Sequence, residues 1–339
     1  MAKKRKKKKQ GRLIAIFITE IVILLLIFVG FKVFTSLNKL NRNNADDSAI
    51  QSNENIQIEG YRNIVLFGVD SRSNALEKST HSDTIIIASI DNKTKDVKLA
   101  SIYRDTYVNI PDLGYKKINA AYFNGGYSLA LSTINKNFDL DIREYVTVNF
   151  QALVNVIDLL GGIELDIQEN ELKYLNGYVK ELNKINGTSV GRLSSAGTQV
   201  VNGTQATAYA RIRYTAGGDF KRAERQRIVV QKIFDKAKSS DLTTINKVIN
   251  EMFPQISTNL SNTDILSLAK DVFSYNIVEQ TGFPFEKDAH TYNKVSYVFP
   301  INLADNVSKL HEFLFGEVEY VPSVTVKEYS DYIESIRIQ

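Results

Sequence analysis

Arg211-Ile-Arg-Tyr-Thr-Ala-Gly-Gly-Asp-Phe-Lys-Arg-Ala-Glu-Arg-Gln-Arg227 is the stretch around which this 339-residue chain is organised. It carries five arginines and one lysine, with Gly217-Gly218-Asp219 at its centre. The residues after it, Ile228 to Phe234, are mostly apolar at helical spacing. That pattern predicts a helix that starts near Phe220 with Asp219 as its N-cap. Arg222 and Arg225 then fall in the first two turns, where the helix dipole disfavours a cation by roughly 0.3–1 kcal/mol each. Cations stacked there beside free backbone N–H groups suit an anion, with phosphate or pyrophosphate the natural candidate. The plainer reading is a solvated basic face paired with Glu224 and nearby carboxylates. Just upstream, Asn202-Gly203-Thr204 reads as a helix start continued by Ala206 to Ala210. Arg211 and Arg213 then read as extended chain, where residues two apart share a face at roughly 6–7 Å. That spacing suits the two phosphates of a pyrophosphate.

Further upstream, three apolar runs read as strands: Asn63 to Gly68, Thr84 to Ile90 and Val97 to Tyr103. The turn Asp91-Asn92-Lys93-Thr94-Lys95 joins the last two. If the second and third form a hairpin and the first is antiparallel to the second, three strand ends meet at one edge. Those ends carry Asp70, Asp83 and Arg104. Paired carboxylates suit a hard cation that also binds phosphate oxygens, and an adjacent arginine suits charge developing on a transferring phosphoryl group. Taken singly, each of these residues reads as an ordinary surface ion pair.

Between this edge and the arginine stretch, Tyr127 to Phe138 reads as a helix and Tyr145 to Asn149 as a strand. The amphipathic helix Phe150 to Leu160 follows, stopped by Gly161-Gly162, and then the strand Ile163 to Ile167. An apolar helix of this kind normally just covers a sheet; the sharper reading is a groove for a lipid chain beneath it. Residues 168–200 read as irregular. Beyond Phe234, helices are expected at about 242–253 and 263–273, a strand at Tyr292 to Phe299, a last helix at Asn302 to Phe315, and a mobile tail over 322–339. No G-x-S-x-G, P-loop or G-x-G-x-x-G motif occurs, and no nucleophile stands out.

The bulk composition needs dissection. The chain has no cysteine, which excludes disulfides and thiolate zinc sites, and its three histidines, 81, 290 and 311, are scattered. The net charge of +4 belongs to residues 1–12, which hold eight Lys or Arg; without them 34 bases face 38 acids. Leu13 to Phe34 is almost wholly apolar and spans about 33 Å as a helix, matching a bilayer core. With no small-residue cleavage site after it, 13–35 reads as a retained signal anchor, with the basic tail cytoplasmic and the body outside. Glu20 interrupts the span. Residues 36–60, rich in Asn, Ser, Asp and Gln, read as a flexible linker.

Together these residues resemble the LytR-CpsA-Psr family of Gram-positive cell-envelope proteins, over about 61–238. The resemblance is carried by Gly68-Val69-Asp70-Ser71-Arg72, Ser82-Asp83-Thr84, Ser101-Ile102-Tyr103-Arg104-Asp105-Thr106, Lys117-Ile118-Asn119-Ala120-Ala121-Tyr122 with Gly125-Gly126, Leu160-Gly161-Gly162 and, above all, Arg211 to Arg227. It implies a three-layer α/β/α fold around a central mixed, largely antiparallel sheet, preceded by one transmembrane helix, with an external catalytic domain over 61–321. It also implies transfer of a glycopolymer from undecaprenyl pyrophosphate to the C6 hydroxyl of a peptidoglycan sugar, forming a phosphodiester. By motif, Asp70 and Asp83 would hold Mg²⁺, or Mn²⁺ in its place, and Arg104 would act in catalysis. Arg211, Arg213, Arg222 and Gln226 would grip the pyrophosphate, with Arg72 assisting, and the polyprenyl tail would lie under helix 150–160. Tyr103 departs from the proline that many members carry. Asp105 and Asp219 both remain open as the base for the acceptor hydroxyl. Phosphoryl transfer by positioning and charge neutralisation needs no covalent nucleophile. A polyprenyl-pyrophosphate hydrolase and a non-enzymatic lipid-pyrophosphate sensor are the competing readings. The expected partners are the lipid-linked glycopolymer, peptidoglycan and the membrane. Nucleic acid is not among them, because the short tail holds no DNA-binding module.

Overall fold

The computed structural model describes residues 41–42, 47–69, 76 and 80–338. The basic tail, the span at 13–35, Asp70 and Arg72 lie outside the described residues. Among the described residues, no helix is long and apolar enough to cross a membrane. The chain runs β1 (Asn41–Arg42), β2 (Tyr61–Val69), β3 (Ser82–Asp91), β4 (Asp96–Ile102), β5 (Tyr107–Ile110), β6 (Gly114–Lys117), α1 (Asn119–Phe138), β7 (Glu144–Asn149), α2 (Phe150–Leu159), β8 (Ile163–Ile167), α3 (Glu169–Asn186) and β9 (Gly197–Val201). It continues through α4 (Gly203–Ala210), α5 (Gly218–Lys238), α6 (Leu242–Met252), β10 (Ile256–Thr258), α7 (Asn262–Lys270), β11 (Asn276–Phe283), β12 (Lys287–Tyr292), β13 (Val295–Pro300), α8 (Leu303–Phe315) and α9 (Val324–Arg337).

Seven strands form the central sheet in the order β1-β10-β7-β2-β3-β4-β11. Its inner strands are buried on both faces, which explains their nearly continuous apolar runs. Val65, Phe67, Ile85, Ile87, Ala100 and Ile102 enter one core with Leu131 and Phe138 of α1, Leu310 of α8 and Ile333 of α9. Their neighbours Ile64, Ile86, Ala88, Val97 and Leu99 enter another with Val230 and Phe234 of α5 and Leu268 of α7. A third core joins α2, α3, α4, Val229 of α5 and the antiparallel β8–β9 pair through Ile157, Leu175, Val179 and Ala206.

Four expectations need correction. The sheet is mixed, but not largely antiparallel. The pairs β2–β3, β3–β4 and β7–β10 are antiparallel, while β2–β7, β4–β11 and β1–β10 are parallel. The hairpin strands announce themselves locally; β7 and β11 reach the sheet by crossovers whose direction no local pattern fixes. Residues 168–200 are not irregular, since α3 occupies 169–186 behind a Gln168/Glu171 capping box. Its buried stripe is short, Glu171, Leu175, Val179 and Leu182, and one of its members is charged, so composition concealed its period. The 322–339 segment is no mobile tail: α9 buries Val326 and Ile333 completely. The linker ends earlier than expected, because Ile50 lies in the main core and Asn53 donates to Asp139 at 2.6 Å.

Candidate functional site

The strand ends meet as the hairpin reading predicts, with Val69 opposite Ser82 and Ile86 opposite Ser101. This places Arg104 Nη1 2.5 Å from Asp83 Oδ1. Arg104 Nε is buried and has no hydrogen-bond partner among the described residues; it lies 3.8 Å from Asp105 Oδ2 and 4.0 Å from Asp219 Oδ2. Burial alone would lower the Arg104 pKa, but Asp83, Asp105 and Asp219 outweigh it and hold the guanidinium above its ordinary value. The loop is fixed on both sides. Asn119 N donates to Arg104 O at 3.2 Å and Val298 N to Asp105 O at 2.9 Å. Tyr103 donates its N–H to Phe283 O at 3.0 Å, a bond that the proline expected from the family resemblance could not make. Its ring rests on Gly282, where any Cβ would lie 2.1 Å from the tyrosine hydroxyl.

The arginine stretch departs from the expected conformation without losing its convergence. Arg211 is αR rather than extended, and closes α4. Gly217, at φ 88°, caps α5, and Gly218 follows at φ 49°; both conformations favour glycine. Asp219 is therefore in the first turn of α5 instead of at its cap, and accepts from Arg222 Nη2 at 3.0 Å. Arg211, Arg213, Arg222 and Gln226 line one pocket of about 140 Å³ with Asp83, Phe150 and Tyr178. Arg222 and Gln226 face it together because residues four apart share a helix face. Arg211 lies 5.5 Å from the Phe150 ring centroid and 5.4 Å from that of Tyr178. Arg222 is only 3% exposed. Burial, with Arg213 and Arg104 adding to it, pushes its pKa down to about 10 despite Asp219 and Asp83. A bound anion would relieve that penalty.

Arg225 does not join the pocket, although it belongs to the stretch predicted to hold the anion. It is buried against Glu171 at 2.8 Å and donates to Ile212 O at 3.1 Å and to Thr215 Oγ1 at 2.6 Å. It anchors the turn that presents Arg211 and Arg213.

A carbon-lined cavity of about 150 Å³ adjoins the arginine pocket. Leu66, Ile86 and Val146 supply its sheet wall, Phe150 and Leu153 its α2 wall, and Val229 and Val230 its α5 wall. Phe150 and Gln226 line both spaces. The groove predicted under helix 150–160 is thus a real cavity, with α5 as an additional wall. A third opening, of about 520 Å³, contains Asp83, Arg104, Asp105, Lys117 and Asn119, together with Thr80, His81 and Phe123. Tyr178, His81, Lys117 and Phe123 line these spaces although none is a candidate site residue in the sequence. The Lys117–Tyr122 motif was the available signal for Lys117, and the aromatic side chains left none.

Among the described residues, no group of three or more His, Asp or Glu gathers as a ready metal cage. Asp83 offers one carboxylate beside the arginine pocket. Mg²⁺ typically takes one or two carboxylates and completes its shell with phosphate oxygens and water. That donor chemistry fits the site, with Asp70 outside the described residues.

A model of the LytR_cpsA_psr family matches residues 27–311. The polyisoprenyl-teichoic acid–peptidoglycan teichoic acid transferase TagU of Enterococcus faecalis is 29% identical over 85% of this chain and 93% of its own length. The corresponding enzyme TagT of Bacillus subtilis is 30% identical over 69% of this chain and 71% of its own. A solved structure described as TagT bound to LI-WTA superposes with a TM-score of 0.61 at 26% identity, covering 78% of this chain and 96% of that one.

Proposed function

The chain belongs to the LytR-CpsA-Psr family, and on that premise we propose that it transfers a glycopolymer from a polyprenyl-pyrophosphate carrier to peptidoglycan. One observation carries the reading most of the way. A pocket holding a buried, partly unsatisfied arginine adjoins a cavity lined almost wholly by carbon, with Phe150 and Gln226 lining both. An anionic head joined to a hydrocarbon tail is the ligand chemistry that fits both spaces at once. The transferase names of TagU and TagT support the same reaction class.

In this reading Arg211, Arg213, Arg222 and Gln226 hold the pyrophosphate, with Arg72 assisting, and the polyprenyl chain enters the apolar cavity. Arg104 faces the phosphorus that bears the glycopolymer. The acceptor hydroxyl oxygen forms a bond to that phosphorus as the bond to the bridging oxygen breaks. Polyprenyl monophosphate leaves, and the hydroxyl proton passes to a carboxylate. Arg104 neutralises charge on the transferring phosphoryl group, the main demand of such a reaction. Asp83, with Asp70, would hold Mg²⁺ or Mn²⁺, which when bound supplies positive charge to the phosphate oxygens. Anchoring by residues 13–35, with the domain outside the cell, would bring the site to a donor confined to the membrane's outer leaflet. Wall teichoic acid, capsule and related polysaccharides all fit as the transferred polymer.

The test is direct. The full chain in detergent, given a short-chain polyprenyl-pyrophosphate saccharide, peptidoglycan fragments and Mg²⁺, should yield a phosphodiester-linked conjugate detectable by mass spectrometry. Free phosphorylated saccharide with no conjugate would favour the hydrolase. Tight lipid binding without turnover would favour the sensor.

A further inference from the structure

The third opening shares Asp83 with the arginine pocket but contains none of Arg211, Arg213 or Arg222. Its wall is mostly polar. Lys117 Nζ lies 3.1 Å from Asp105 Oδ1, and Asp105 Oδ2 faces Arg104 Nε. The rest of the wall includes an aromatic pair, His81 stacked on Phe123 at 4.7 Å and 16° between planes. Phe123 lies near the start of α1 and is 41% exposed, so part of its ring is open to a ligand beside the charged rim. One aromatic pair in an otherwise polar and charged wall, around a space of about 520 Å³, suits a small ligand with one apolar face and many hydroxyls. A pyranose is such a ligand, with one apolar C–H face and hydroxyls around its edge.

We propose that this opening is the acceptor-sugar subsite, in which the His81–Phe123 pair supports the sugar ring and Asp105 takes the proton from the attacking hydroxyl. The inference rests on the transferase reading and extends it. The two candidate carboxylates occupy different surroundings. Asp219 accepts from Arg222 at 3.0 Å and lies 3.7 Å from Arg213 Nε, within the cluster that holds the donor. Asp105 lines the third opening, and its backbone is pinned to β13 by the Val298 N–H. A hydroxyl entering there meets Asp105 on one side and the Arg104-directed phosphorus on the other. As its oxygen bonds to phosphorus, its proton passes to Asp105, and the electron pair of the broken P–O bond leaves with polyprenyl monophosphate.

Steady-state kinetics of the full chain in detergent, with a polyprenyl-pyrophosphate disaccharide as donor and a soluble peptidoglycan glycan as acceptor, test this. Phe123→Ala and His81→Ala should each raise the acceptor KM about tenfold while donor affinity stays within about twofold. Asp105→Asn should lower kcat about 100-fold with acceptor KM and donor affinity retained. Conjugate formation with an unchanged acceptor KM in both aromatic variants would overturn the subsite alone. Loss of donor affinity in Asp105→Asn would reduce that residue to a support for Arg104 and overturn its assigned role. No conjugate from the unmodified chain would overturn the transferase reading, and the subsite with it.

Discussion

Arg222 shows how a single residue can be poor for stability and good for binding. At neutral pH it is charged in both folded and unfolded chains, so the penalty of burying it is present in full. Its pKa of about 10 places that penalty on the order of 3 kcal/mol. As pH rises through about 10 the folded chain releases the proton first, and the contribution of this residue to stability climbs. Arg222→Met should therefore melt at least as high as the parent at pH 7 in the absence of ligand, since Asp219 is part-exposed and keeps Arg213 beside it. The same variant should lose the thermal stabilisation given by a polyprenyl pyrophosphate. A lower melting temperature without ligand would show that the arginine is structural. Arg104 makes the complementary case, because its Nε is oriented and unspent. Arg104→Ala should fold normally and lose about 10²–10³ in kcat. Arg104→Lys should recover little of that loss, since an ammonium cannot reproduce the planar fork that meets Asp83 and the phosphoryl group together. Single-turnover rates at saturating donor measure both.

At the scale of elements, the site depends on how α5 is tied to its neighbours. Arg225 fastens α5 to Glu171 at the start of α3 and to the 212–215 turn. Arg225→Leu leaves the buried Glu171 carboxylate without its cationic partner, held only by the Gln168 N–H, so denaturant unfolding should show a loss of about 3–5 kcal/mol. Adding Glu171→Leu should restore much of the stability but not the donor affinity, because the turn carrying Arg211 and Arg213 remains unpinned. Equal recovery of both would mean that the pair serves folding only. This division of labour marks the limit of what the sequence discloses. Five arginines in one stretch proclaim an anion site, yet nothing in their spacing separates Arg222, which faces the pocket, from Arg225, which faces Glu171. That sorting depends on α3, whose weak apolar stripe concealed it. The β2–β4 edge was legible because alternation and turn chemistry are local, and it brought Asp83 to Arg104 correctly. The His81–Phe123 pair was not legible, because it joins a loop to a helix 42 residues later.

For the whole molecule, one buried carboxylate connects the two ends of the described domain. Asp139 is fully buried at the end of α1. Its Oδ1 accepts from Asn53 Nδ2 at 2.6 Å and from Ser323 Oγ at 2.7 Å, and its Oδ2 accepts from Ser323 N at 2.7 Å. Segment 47–60 and helix α9 thus meet on a single side chain more than 80 residues from one and 180 from the other. Neither segment could be recognised as structural from composition, since each is polar apart from a few positions whose partners are remote. The consequence is measurable. If residues 322–339 were a mobile tail, removing them would leave the melting temperature unchanged. Here removal strips Val326 and Ile333 from the main core, worth roughly 1.5–3 kcal/mol each, and leaves Asp139 without two of its donors at a further 1–3 kcal/mol or so. A chain ending at residue 321 should therefore lose several kcal/mol, a large share of the 5–15 kcal/mol typical of a domain. Asp139→Ala alone should reproduce part of that loss, because it unties both ends while leaving α9 covalently attached. A truncated chain that melts with the parent would break the link between these termini and the core. Asp139→Ala matching the full truncation would instead assign the stabilisation mainly to the polar junction and not to the apolar face of α9.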